Sequence, residues 1–282
     1  MSNKILERIK EQEQINSFKI ILPVSGKEIK IRPMKTKEAK YIAQIDINSV
    51  IKPDNVKMFN NYREYKKDFD EKMEFFYNTL SDVIYEDINI KDLKFLDFVY
   101  ITFFLKQISN AMSISNFSVK CSECKVDFKT NLKLDIDNIE IINKENLNSF
   151  EIDSDSIDIL NFGIKLKLEN PSIDVYSKLL YINSKKSNVD ESLDLINDIL
   201  FDSLISITYV SGKDTLVMNK DDKENPLNIE DFKKIIDELY DDISKKLLKK
   251  YFTGMSALKY INRYTCPNCG KVNEGELRNE VF

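Results

Sequence analysis

The four cysteines of the chain fall into two short pairs, and this arrangement constrains the fold more than any other feature of the sequence. The first pair is Cys121-Ser-Glu-Cys124 and the second is Cys266-Pro-Asn-Cys269. Zinc ribbons present four thiolates in this form, as two Cys-x-x-Cys turns around one tetrahedral metal ion. The pairs of a ribbon are usually about 15–20 residues apart, whereas here residues 125–265 separate them. A shared site is still compatible with this spacing, because loop-closure entropy grows only with the logarithm of loop length.

Three alternatives to a shared zinc site remain open at this point. Two structural disulfides need an oxidising compartment, but the charged start MSNKILERIKEQEQ lacks the apolar segment of a secretion signal. A thioredoxin-like redox pair opens a helix after a strand, and neither cysteine pair precedes a helical pattern. The third alternative is four unrelated cysteines without a metal.

We favour one structural Zn²⁺ ion per chain, held in a closed four-thiolate site that has no open coordination position for catalysis. Its expected ligands are Cys121, Cys124, Cys266 and Cys269. The sulfurs of one pair should then lie within about 4 Å of those of the other, as tetrahedral Zn–S geometry demands. One ion would tie the C-terminal region back onto the centre of the chain.

The two cysteine turns differ in the residue that follows the second cysteine. Gly270 follows Cys269, and glycine readily adopts the positive φ that lets backbone N–H groups point at a sulfur. Lys125 takes the same place in the first turn. We therefore predict a strained backbone at Lys125.

Composition excludes several kinds of chemistry. The 282-residue chain has no histidine, which removes Ser-His and Cys-His catalysis and histidine metal centres. It contains neither G-x-G-x-x-G nor a P-loop motif, and no spacing singles out a pair of carboxylates. The apolar run at 98–105 is far shorter than the roughly 18 residues of a membrane-spanning helix. We therefore expect a protein without enzymatic activity that is made in a cytoplasm and does not enter a membrane.

Hydrophobic periodicity predicts an α+β fold, organised as a single composite unit over residues 1–282. The predicted regions are an N-terminal β-hairpin at 17–33, a helical region at 34–115, a central β-rich region with the first cysteine pair at 116–170, a helical region at 171–260 with a hairpin near 204–219, and the second cysteine pair with a tail at 261–282. A split zinc-ribbon-like site with four cysteines would join the centre to the C-terminus.

Several elements carry more detailed expectations. Helices are predicted from Thr36 until Pro53, over 56–80 with one buried apolar face, over 91–111, and over 229–250. The residues expected to point inward in the first cysteine hairpin are Val126, Phe128, Leu132 and Leu134.

Stretches that together cover roughly half of the chain resemble one protein family. In order, they are ILPVSGKEIKIRPMKTKEAK, LKFLDFVYITFFLKQIS, CSECKVDFKTNLKLDIDNIEI, FGIKLKLENPS, YFTGMSALKY, CPNCGK and ELRNEVF. They are similar to the T-even-type phage baseplate hub proteins, which include the hub distal subunit and the hub assembly catalysts. The resemblance implies no catalytic residues in this chain. The only site residues that it implies are the four cysteines, as metal ligands.

The resemblance implies a structural or assembly component of a contractile-tail baseplate hub that acts through protein–protein contacts. The implied partners are other phage baseplate and hub proteins, and a homo-oligomer within the baseplate is compatible with this role. The implied location is the phage virion, or the host cytoplasm during assembly.

A zinc-ribbon nucleic-acid-binding or transcription-related factor is the alternative interpretation. Basic residues lie near both cysteine pairs, namely Lys120, Lys125, Lys129, Arg263, Lys271 and Arg278. The net charge of −5 and the lack of a Lys/Arg stripe with interleaved aromatic residues argue against it. We therefore do not expect nucleic acid among the partners.

Overall fold

The computed structural model describes residues 16–39, 56, 58–109, 113–133, 136–154, 162–184, 189–211, 213–238 and 243–278. In these ranges helices combine with small antiparallel sheets, which confirms the predicted α+β class. The strands are β1 Phe18–Ile21, β2 Glu28–Ile31, β3 Ser113–Lys120, β4 Asp127–Lys133, β5 Ile139–Ile142, β6 Phe150–Asp153, β7 Phe162–Leu168, β8 Leu204–Ser211, β9 Asp214–Asn219, β10 Ala257–Thr265 and β11 Val272–Arg278. The helices are α1 Tyr62–Val83, α2 Phe95–Ile108, α3 Ile173–Ser184, α4 Val189–Asp202, α5 Ile229–Asp237 and α6 Ile243–Gly254.

The N-terminal hairpin forms as predicted and packs against two helices. β1 pairs with β2, and Gly26 lies in the connecting turn with a φ of +64°. Asp97 of α2 is fully buried, and its carboxylate accepts hydrogen bonds from the N–H groups of Val24 (2.7 Å) and Ser25 (3.0 Å). Because such bonds to a charged acceptor are stronger than neutral ones, they fix the hairpin turn onto α2.

The first hydrophobic core joins this hairpin to α1, α2 and one side of α3. The inner face of α1 supplies apolar side chains at spacings of three and four, which are Tyr65, Phe69, Met73, Phe76, Leu80 and Val83. This face confirms the predicted stripe, but the helix begins later than the sequence suggested. The side chain of Asn61 accepts a hydrogen bond from the N–H of Glu64 and caps the helix there, so Met58 lies outside it and is 73% exposed.

The second hydrophobic core lies between a four-stranded sheet and helices. The strand order is β6-β7-β8-β9, and α4, α5 and α6 contribute the apolar residues that cover its inner face. Helix α3 contributes to both cores, because Leu180 and Tyr181 belong to the first and Val175 and Leu179 to the second. The two cores are therefore joined through one helix.

Two detailed predictions are wrong. The helix predicted over 229–250 is two helices, α5 and α6, which have different neighbours: α6 packs on both β6 and α4, whereas α5 packs on α4. Periodicity in one sequence window does not show such a change of neighbour. Val126, expected to point inward, is 41% exposed, because it lies in the cysteine turn before β4 begins, where strand alternation does not apply.

Some predictions fall outside the described residues. Of the helix predicted after Thr36, only 36–39 is described. Leu134 and the side chain of Leu132 are not described, whereas Phe128 is half-buried and its ring contacts that of Tyr264 at a centroid distance of 5.8 Å. In the ranges that are described, no helix is long and apolar enough to cross a membrane.

Candidate metal centre

Two hairpin turns bring the four cysteines together. Cys121 and Cys124 lie in the turn between β3 and β4, and Cys266 and Cys269 lie in the turn between β10 and β11. The Cys121 and Cys269 sulfurs are 3.6 Å apart, as are those of Cys124 and Cys266. All four sulfurs lie within 4.8 Å of one another. A tetrahedron with Zn–S bonds of ~2.3 Å has S–S edges of about 3.8 Å, so the donor set and its dimensions fit a four-thiolate metal ion.

The two turns share one backbone geometry. The N–H of Cys121 donates to the Val126 carbonyl (3.0 Å), and the Cys121 carbonyl accepts from the N–H of Lys125 (3.2 Å). Cys266 makes the equivalent two bonds in its own turn, at 2.8 and 2.9 Å. Each turn is thus closed by its own backbone hydrogen bonds and places two thiols on one side of a tight bend.

The residue after the second cysteine has left-handed backbone in both turns. Lys125 has a φ of +59° and Gly270 a φ of +71°. This confirms the strain expected at Lys125, since a residue with a Cβ pays roughly 1–2 kcal/mol for this conformation and glycine does not. The first turn therefore has the same left-handed geometry as the second, although Lys125 carries a Cβ and Gly270 does not.

Backbone N–H groups act directly on the thiols. Burial opposes ionisation of Cys121, but the N–H groups of Cys124 and Glu123 donate to its sulfur and lower its pKa to about 6. At Cys269 the N–H of Lys271 favours the thiolate, yet burial and the three neighbouring thiols outweigh it and raise the pKa to about 12. Four crowded thiols cannot all ionise without a nearby cation, and a coordinated divalent ion would supply that positive charge.

A buried amide connects the two turns. Asn273 at the start of β11 is 4% exposed, and its Oδ1 accepts from the N–H (2.8 Å) and the hydroxyl (2.7 Å) of Ser122 in the first turn. Its Nδ2 donates to the Lys271 carbonyl (3.0 Å) and lies 3.7 Å from the sulfur of Cys121. This side chain therefore holds the first turn against the second and donates to one of the thiols.

A second amide crosses between the turns. The pKa of Cys124 is lowered first by the N–H of Val126 and then by the side chain of Asn268, which belongs to the other turn. Sequence reasoning identified the four thiols but missed both asparagines. A signal was present, because metal ligands need polar groups to orient them and both asparagines lie within the CPNCGKVN stretch.

Charges around the cysteine turns are mixed in sign. The Nε of Arg263 lies 2.9 Å from a carboxylate oxygen of Glu274, and the Nζ of Lys271 lies 4.0 Å from one of Glu123. Lys120 stands opposite Asp127 across the β3–β4 pair. In the part of this surface that the structure describes, basic and acidic side chains are therefore interspersed.

The second cysteine turn also belongs to a three-stranded sheet. β10 pairs with β11 on one side and with β5 on the other, so the C-terminal hairpin is hydrogen-bonded to the middle of the chain. Within the described residues, these cysteines are the one group of three or more potential metal-ligating side chains close enough to share an ion. All four are free thiols.

Comparison with known proteins gives one family. A model of the family described as T4 bacteriophage base plate protein matches residues 15–280, which is nearly the whole chain. Searches of the curated proteins and of the solved structures return no match.

We predict opposite effects of substitution at the two left-handed positions. Gly270→Ala should lower the free energy of unfolding by about 1 kcal/mol, and Lys125→Gly should raise it by up to about the same amount. A Cβ at position 270 would meet no atom within 4 Å, so the effect isolates backbone conformation. Denaturant unfolding of the metal-free protein measures both, because bound metal would add its own binding free energy.

The control for this pair is Gly26→Ala, at a left-handed turn that is likewise open and belongs to the N-terminal hairpin. It should lower stability by a similar amount without changing the affinity for metal, whereas Gly270→Ala should weaken metal binding. Equal changes at positions 125 and 270 would contradict the strain argument.

We also predict that Asn273→Ala weakens the affinity for Zn²⁺ by about tenfold to a hundredfold, the usual effect of removing a side chain that orients a ligand. Competition with a chromophoric chelator measures this. Asn225→Ala, at an exposed asparagine in the loop after β9, should leave the affinity unchanged. An unchanged affinity in Asn273→Ala would show that the amide has no influence on the site.

Proposed function

Since the chain belongs to the family of T4 bacteriophage base plate proteins, we propose that it is a component of the hub of a contractile-tail phage baseplate. The observation that supports this proposal is the extent of the family match, which covers residues 15–280 of the 282-residue chain. The coarser role, a phage baseplate structural protein, follows from membership itself. The hub position and a part in assembly are the finer proposal, supported by the stretches that resemble hub proteins.

The proposed role is non-enzymatic and depends on contacts with other baseplate proteins. The ionisable groups that are deeply buried in the described residues serve packing or local hydrogen bonding: Asp97 binds a hairpin turn, and the Tyr251 hydroxyl lies 2.8 Å from that of Ser203. Arg32 forms two hydrogen bonds to the carboxylate of Glu38. These arrangements stabilise a scaffold.

We propose that the metal is zinc and that its role is structural. The ligands would be Cys121, Cys124, Cys266 and Cys269, whose four sulfurs are spaced for a tetrahedral ion. Zinc suits this set, because soft thiolates favour it and four protein ligands leave no position for substrate. We further propose that the chain behaves as one composite unit, since α3 belongs to both cores and the cysteine turns join the centre to the C-terminus.

The metal assignment predicts about one zinc ion per chain in protein prepared from zinc-containing medium, measured by elemental analysis. Replacement by Co²⁺ should give the absorption of a tetrahedral thiolate site, which distinguishes the cluster from adventitious binding. The double substitution Cys266→Ser and Cys269→Ser should abolish binding and lower the thermal midpoint. Metal-free protein as stable as the loaded form would contradict a structural role.

The hub assignment predicts a complex when the chain is co-expressed with the other baseplate and hub proteins of the same phage. Infection with a phage that lacks this gene should yield no complete baseplates, as seen by electron microscopy. A matched control is complementation with the Asn225→Ala chain, which should restore assembly. Wild-type baseplates without the gene, together with no complex, would refute the proposal.

A further inference from the structure

The outer strand of the four-stranded sheet presents apolar side chains to solvent on both of its faces. β9 pairs with β8 through a register that places Leu216 beside Tyr209 and Val217 beside Thr208. Leu216 is 57% exposed and Val217 is 54% exposed. Leu216 shares the inner face of the sheet with Met218, which pairs with the buried Ile207, whereas Val217 lies on the outer face.

The free edge of β9 consists of alternate residues. The N–H of Lys220 donates to the Ile205 carbonyl (3.0 Å), so the even-numbered positions direct their backbone groups towards β8. N–H and C=O groups of successive residues in a strand point to opposite sides. Thr215, Val217 and Asn219 therefore direct theirs away from the sheet, towards any strand that approaches this edge.

Within the described residues, this edge lacks the features that normally prevent strand addition. Natural edge strands are protected by charges, proline, a bulge or a covering element. Strand β9 reads Asp-Thr-Leu-Val-Met-Asn, without proline or a charge in its central four residues, and its register with β8 has no shift. The opposite edge strand, β6, is protected, since it carries the exposed carboxylates of Glu151 and Asp153 and packs against α6.

We propose that the edge of β9 binds the same edge of a second copy of this chain, in antiparallel register with Val217 opposite Val217 of the second copy. The two four-stranded sheets would then form one continuous eight-stranded sheet across a two-fold axis. Leu216 would face Met218 of the second copy on the inner face, and the two Val217 side chains would meet on the outer face. Such cross-strand apolar pairs stabilise antiparallel sheets.

Charge complementarity selects this register and favours a second copy as the occupant. With the axis at Val217, Asp214 stands opposite Lys220 of the second copy, and Lys220 continues the β8–β9 ladder through its N–H bond to the Ile205 carbonyl. Symmetry produces this opposite-charge pair twice. The Lys220 ammonium group donates to the carbonyl oxygens of Phe201 and Asp202 and lies 4.9 Å from the centre of the Phe201 ring, so it would attract Asp214 of the second copy through its charge.

The two neighbouring symmetric registers give less favourable pairing between the strands. A two-fold axis perpendicular to the sheet must pass through a residue position, because directly opposed residues share a face. An axis at Met218 would shorten the overlap of the two strands to Val217, Met218 and Asn219. An axis at Leu216 would place Asp214 opposite Met218 of the second copy and would not form the opposite-charge pair.

The register is tested by cross-linking with Val217→Cys in the full, Zn²⁺-loaded chain. Opposed hydrogen-bonded residues have Cα atoms about 5.5 Å apart, within the range that a disulfide spans. Mild oxidation should therefore convert most of this variant to a covalent dimer. Thr215→Cys is the matched control, because the two copies of position 215 would be about 13 Å apart, four residues along the strand. It should stay monomeric on a non-reducing gel, as should the wild-type chain.

The association itself is tested by sedimentation of the reduced protein over a wide concentration range. The wild-type chain should change from monomer to dimer. Val217→Pro should remain monomeric with unchanged circular dichroism, because it removes only the outward N–H and an edge strand tolerates proline there. Asp214→Lys should weaken association by about tenfold, because it would place like charges at both Asp214–Lys220 positions.

Three outcomes would overturn the proposal. The first is a wild-type chain that stays monomeric at every concentration, and the second is a dimer that survives Val217→Pro. The third is equal cross-linking at positions 215 and 217, which would show random collision. The test uses the purified chain alone, so its result is independent of the baseplate assignment.

Discussion

The meeting of two hairpin turns that are far apart in the sequence is the interaction on which the rest of the described structure depends. Each turn holds its own shape through backbone hydrogen bonds, such as that from Lys125 to the Cys121 carbonyl, but neither alone offers four thiolates. Asn273 and Asn268 extend from the second turn to the first. The contact is therefore polar and directional even before a metal ion is considered, and it fixes how the hairpins face each other.

Strand β10 connects the cysteine turns to the other described elements of the chain. It pairs with β11 and β5, its Tyr260 ring packs against Phe103 of α2, and its Tyr264 ring packs against Phe128 of β4. Helix α6 leads directly into it and packs on the four-stranded sheet. Loosening the cysteine turns would thus affect both hydrophobic cores. A protein that serves as a building block benefits from this arrangement, since its contact surfaces keep fixed relative positions.

The sequence predicted much of the local structure, because hydrophobic period and turn residues act over short distances. The hairpin around Gly26, the buried face of α1, the helix within 91–111 and the β8–β9 hairpin all follow from such patterns. The errors have two different origins. A local cap at Asn61 starts α1 later than its apolar stripe implies, whereas the 229–250 segment forms two helices whose packing partners periodicity does not reveal.

The sequence by itself determined the donor set, the left-handed strain at Lys125 and the absence of histidine chemistry, since residue identity and adjacent spacing are sufficient for these. Only the tertiary structure decided that the two cysteine pairs meet, that Asn273 and Asn268 support them, and that β9 is left as an apolar outer edge. Each of these depends on which distant segments pack together. Such packing reflects the summed burial and hydrogen bonding of the whole chain, and no local pattern encodes that sum.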